Sequence, residues 1–204
     1  MNDSRDGSLA AGQPRGAAVA GLATAMAVTA ETAAAKEVSP ALAAVFEKIP
    51  AQNAQQAAEI GDALVAGGAD IVRQLVGLVG SEFGDSAGAM PKQALHALVI
   101  YASRPGADKQ RGTVASTLAQ ELAADHSDEL KAFVTRQLQL CGRAQEVPAL
   151  ARLLTSDRLC EPSAQALLAI GGDAARDSLN SALPQADGGR KATISQAVEL
   201  LSTT

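Results

Sequence analysis

Three times in this chain a glycine is followed eight positions later by a leucine: Gly67 and Leu75, Gly142 and Leu150, Gly171 and Leu179. The match extends around each pair. A shift of 29 residues lays Leu138, Cys141, Gly142, Leu150 and Leu154 under Leu167, Ile170, Gly171, Leu179 and Leu183. A shift of 104 lays Leu64, Gly67, Gly68, Leu75 and Val79 under Leu168, Gly171, Gly172, Leu179 and Leu183. The apolar spacing on both sides of the glycine is helical. The glycine is therefore expected to end a first helix and turn the chain back antiparallel, because it adopts backbone conformations closed to other residues. The leucine then sits on a second helix facing the same core. A unit of about 30 residues made of two helices cannot bury its apolar face alone, so units stack on one another.

Composition points the same way. Alanine supplies 45 of the 204 residues, and the aromatics are only Phe46, Phe83, Tyr101 and Phe133. Alanine has the highest helix propensity and permits close helix packing. A sheet sandwich would call for alternating Val, Ile, Tyr and Phe. The predicted class is all-α.

The helix signals can be placed individually. Ser39 precedes Pro40 as an N-cap before a first-position proline, and Leu42, Val45, Phe46 and Ile49 make one apolar face up to Pro50. Further helices are predicted at Asn53–Ala66, Ala69–Gly80, Pro91–Ala102, Thr113–Ala124 and Asp128–Cys141. Four more follow at Gln145–Leu154, Pro162–Ile170, Ala174–Leu183 and Arg190–Leu201. Asp128 and Asp173 stand at helix starts, where an acid complements the helix dipole.

From about residue 51 onward the chain resembles the HEAT-repeat family in its short bacterial form. The residues that carry the resemblance are Leu64–Val79 (LVAGGADIVRQLVGLV), Leu138–Leu154 and Leu167–Leu183 (LLAIGGDAARDSLNSAL). The resemblance implies a right-handed α-solenoid of about four to five antiparallel helix pairs over residues 37–204. It further implies a concave surface formed by the second helices that holds another protein, with no catalytic residues and no cofactor. The leading functional expectation is thus a non-enzymatic protein–protein interaction scaffold. The alternative is a small HEAT-like enzyme of the lyase type, or a tetrapyrrole-handling protein, which should show a cleft with aromatic and histidine residues.

One stretch departs from the repeat. Leu118 follows Ser103 by 15 residues where the other units allow eight, which leaves an insert at Arg104–Arg111. Arg104, Lys109 and Arg111 there face a single acid, Asp108, within a chain of net charge −5. These three cations are the candidate partner-binding residues, since long loops on rigid scaffolds carry function. A tolerated surface insertion is the competing reading.

No other constellation carries chemistry. His96 and His126 are 30 residues apart without metal-ligand spacing, so no metal is expected. Glu121, Asp125, Asp128 and Glu129 crowd one helix junction and read as capping plus a solvated face. A nucleic-acid binder would show a basic stripe on the second helices. The positions two after each key leucine instead read Gly77, Gln120, Arg152 and Ser181, so no nucleic acid is expected.

The first 36 residues form a separate Ala-rich leader. Gly16–Ala30 is an uncharged run of 15, too short to span a bilayer but of the length of a signal-peptide core, with small-residue sites at Ala30 and Ala35. Against that reading, Asp3 and Asp6 lie upstream and the run holds a single leucine. An exported chain cleaved here, or a cytoplasmic chain with a disordered leader, both fit; insertion into a membrane does not. The repeat register sets Cys141 and Cys160 about 15 Å apart along neighbouring helices, too far for a disulfide. At the other end, Ile194, Ala197, Val198 and Leu201 share one face of a closing helix with no second helix to complete its pair; Ser195, Gln196 and Glu199 give it a polar side that caps the array, and the alternative is an open end that serves as a second candidate contact.

Overall fold

A computed structural model describes residues 38–81 and 89–203, and the leader with its signal-like run lies outside them. Among the described residues there are ten α-helices and no strand. They are α1 (Pro40–Phe46), α2 (Ala54–Ala66), α3 (Gly68–Ser81), α4 (Ala89–Ala102) and α5 (Asp108–Glu121). Then come α6 (Asp128–Cys141), α7 (Val147–Ala151), α8 (Cys160–Ile170), α9 (Gly172–Ala182) and α10 (Gly188–Ser202). The all-α expectation therefore holds.

Ser39 caps its helix as the sequence signals, and two further helices start on side-chain caps. The Ser39 hydroxyl accepts from Leu42 N–H, Asn53 accepts from Gln56 N–H, and Ser127 accepts from Leu130 N–H. Each side-chain oxygen satisfies a donor that the first helical turn leaves without a partner. Ser39 N–H also reaches Gln74 Oε1 at 3.3 Å, tying the start of α1 to α3.

Packing follows a simple order. Helices two apart in the chain touch: α2 with α4, α4 with α6, α6 with α8, and α8 with α10. On the other side α3 packs on α5, α5 touches α7, and α7 packs on α9. One continuous apolar core runs from Leu42 of α1 to Ile194 and Ala197 of α10. The repeated leucines sit inside it: Leu75, Leu118, Leu150 and Leu179 are all fully buried.

The corners differ from one another. At Gly171 and Gly172 φ is +68° and +75°, a region that disfavours side chains, as expected of a helix-ending glycine. Gly142 ends α6 in extended backbone instead, with φ −62° and ψ 157°. Its missing side chain matters for space: a Cβ would lie 2.6 Å from Leu138 O and 2.9 Å from Ile170 Cδ1. Between α2 and α3 the chain bends by 102° and does not fold back antiparallel as the repeat suggests. Among the described residues no single helix is long and apolar enough to cross a membrane.

Most helix ends fall within two residues of the expectation, and three helices depart further. α1 stops at Phe46, although Ile49 still packs against the core. α5 begins at Asp108, five residues before the predicted Thr113; its first turn is wholly polar, so apolar periodicity starts only at Val114. The predicted helix over Gln145–Leu154 is broken into a 3-10 turn at Ala144–Glu146, the short α7, and a second 3-10 turn at Arg152–Thr155. The buried Ser163 of α8 donates its hydroxyl to Leu150 O at 2.5 Å, so a neighbouring side chain takes up a carbonyl in the last turn of α7.

Candidate functional site

The early start of α5 redefines the predicted basic insert. Only residues 103–107 remain a connection, and Lys109 and Arg111 stand on the first turn of the helix. Arg104 stacks over the Tyr101 ring at 3.7 Å, donates to Tyr101 O at 2.6 Å, and lies 3.8 Å from Asp62. The Tyr101 hydroxyl in turn donates to Asp62 at 2.6 Å, and that hydrogen bond, followed by burial, raises its pKa above the usual value. Arg111 donates from Nε to Cys141 O at 2.8 Å and from Nη2 to Gly142 O at 3.1 Å. It therefore closes the end of α6, whose last carbonyls have no partner within the helix. Asp108 pairs with Arg143. Lys109 is exposed beside a cavity of about 320 Å³ whose lining includes Val65, Leu98 and Val114. Each of the three cations thus faces a different neighbour.

Of the two readings of the closing helix, its apolar face is found covered and not left open. Ile194 is fully buried and Ala197 nearly so, with Val198 and Leu201 partly covered, because α10 lies against α8 and α9. Its apolar face completes the core.

The histidines have local partners. His96 Nδ1 lies 3.2 Å from Gln137 Oε1, linking α4 to α6, and His126 Nε2 lies 2.7 Å from Glu121 Oε2 across the α5–α6 turn. Among the described residues no group of three or more His, Cys, Asp or Glu is placed to hold a metal ion. Cys141 and Cys160 are both free and buried. Burial pushes the Cys141 thiol up to about 12 and raises that of Cys160 as well, so both stay protonated and poorly nucleophilic near neutral pH.

Two wide, open grooves lie along α5, α7 and α9. A groove of about 410 Å³ runs between α5 and α7, lined by Ser116, Ala119 and Gln120 on one side and Gln145, Pro148 and Ala149 on the other. A second groove, of about 430 Å³, lies between α7 and α9, where Ala151 faces Ser178 and Ser181. Arg152 lines both. Neither groove is lined by a histidine or an aromatic ring. Gln120, Arg152 and Ser181 are the positions two after the key leucines, so the repeat register did carry this surface. What the register could not show is that a groove runs along each flank of the short α7. Comparison of the chain with protein-family models, with curated proteins and with solved structures finds no match.

Proposed function

We propose that residues 38–203 form a right-handed α-solenoid of HEAT-like helix pairs and act as a non-enzymatic scaffold that holds another protein. The observation that supports this reading is the packing of helices two apart in the chain. Such packing is what stacked helix pairs produce, and it places α5, α7 and α9 side by side with two grooves between them. The grooves are lined by small and polar side chains around one arginine. That lining suits a segment of polypeptide chain, which needs hydrogen-bond partners along its length and room for its backbone. The bound protein is expected on this face.

Two bulky substitutions on exposed positions, Ser116→Trp and Ser181→Trp, fill the grooves without touching the core. The full chain and the double variant are to be isolated from the host, with co-purifying proteins identified. A partner present with the parent chain and lost with the variant, whose circular dichroism is unchanged, is the expected result. The same co-purifying set for both chains contradicts the assignment to this face.

A further inference from the structure

Arg152 is set apart from most of the arginines around it. Arg73, Arg143, Arg158, Arg176 and Arg190 pair with carboxylates, Arg104 with Asp62 and the Tyr101 ring, and Arg111 with two carbonyls. Among the described residues, the guanidinium groups of Arg136 and Arg152 alone have no such partner. Arg136 opens onto a cleft that already holds Asp128 and Glu129. Arg152 instead stands exposed where the two grooves beside α7 meet, reachable from either. We infer that Arg152 reads a single carboxylate on an extended segment of the partner laid across α5, α7 and α9. This inference rests on the scaffold reading above.

The surrounding charges fix how many carboxylates the site accepts. Glu146 lies in the first groove at 4% exposure, with its carboxylate accepting Arg143 N–H at 2.9 Å. Asp177 is exposed on the far wall of the second groove. Neither lies within ion-pair distance of Arg152, so its guanidinium is free to receive an outside anion. An acidic run longer than one residue would be brought against Glu146 or Asp177 and repelled. The residues flanking the carboxylate are therefore neutral. They are also small, because Ala119, Ala149, Ala151 and Ser178 wall the grooves and leave height for a backbone. An arginine suits this task better than a lysine, since its planar fork binds a carboxylate through two parallel hydrogen bonds.

The test uses the full chain and a random-peptide library displayed on phage. Selected binders should share one Asp or Glu flanked by small neutral residues, and their affinity should weaken as salt rises. R152Q, whose fold is checked by circular dichroism, should reduce that affinity about tenfold, the loss of one charged hydrogen-bonded contact. R152E should exchange the preference for one Lys or Arg at the same peptide position. R152K keeps the charge without the fork and should fall between the parent and R152Q. Binders that carry no acid, that carry an acidic run, or that bind R152Q as tightly as the parent overturn the inference, as does a library that yields none. The Ser116→Trp, Ser181→Trp chain separates the two levels. Binders lost there but indifferent to R152Q leave the scaffold face standing and remove the carboxylate. Binders indifferent to both remove the face as well.

Discussion

α3 and α7 occupy the same place in the repeat, and they could hardly be built more differently. α3 runs for 14 residues and buries Ile71, Val72, Leu75, Val76, Leu78 and Val79. α7 runs for five residues between two 3-10 turns and buries Val147 and Leu150. Yet Leu75 and Leu150 are equally inaccessible to solvent. The repeat thus preserves one buried leucine and lets the helix around it vary. Where the second helix is long, as in α3, it packs directly on α5. The short α7 also touches α5 and packs on α9, with a groove along each of these two contacts.

The largest expected effect tests whether the two leucines do the same job. Leu75→Ala and Leu150→Ala each remove a fully buried side chain, so each should cost about 2–5 kcal/mol of stability, read from denaturant melts. Similar losses at the two sites support equivalence despite the unequal helices. A cost near zero at Leu150 would show that the α7 segment is not part of the cooperative core.

The corners before these helices differ in how they are held, and Arg111 sharpens that difference. Among the described residues no arginine closes the α2–α3 corner at Gly67 and Gly68, whereas Arg111 closes the α6 end through Cys141 O and Gly142 O. Arg111→Ala should lower stability by about 1–2 kcal/mol, discounted because the side chain is half-exposed, while Lys109→Ser should leave the melt unchanged. Equal, negligible effects would return Arg111 to the surface role its sequence context suggests.

Much of this architecture was legible in the sequence because helix signals are local. Ser39 with Pro40 and Asp128 announce helix starts, and the glycine–leucine spacing placed Leu75, Leu150 and Leu179 in the core. What escaped was long-range. The first turn of α5 carries no apolar residue, so its periodicity is silent until Val114. Arg111 looks like a loop cation until α6 is placed beside it, 30 residues further on. The break in α7 involves a hydroxyl from Ser163, which no window around Leu150 contains. Whether the face of Ile194 is covered could not be read from its own helix, because the helices that cover it, α8 and α9, come before it. As for the candidate surface, its positions were readable as an offset from the key leucines, but the grooves along α7 were not.

The central claim is that helices two apart in the chain pack on one another from α2 through α10. Nuclear magnetic resonance on the full chain tests it most directly, through two contacts far apart in the fold. The Tyr101 ring of α4 lies against Gly61 of α2, with a Cβ at Gly61 falling within 2.6 Å of three ring carbons, and the Ile170 Cδ1 methyl at the end of α8 lies against Gly142 at the end of α6. The account predicts nuclear Overhauser effects between the Tyr101 ring protons and Gly61 Hα, with that proton shifted by the ring current, and between the Ile170 methyl and Gly142 Hα. Helical secondary shifts in both segments without these cross-peaks would contradict it, because the helices would then exist without the stacking on which the proposed scaffold rests.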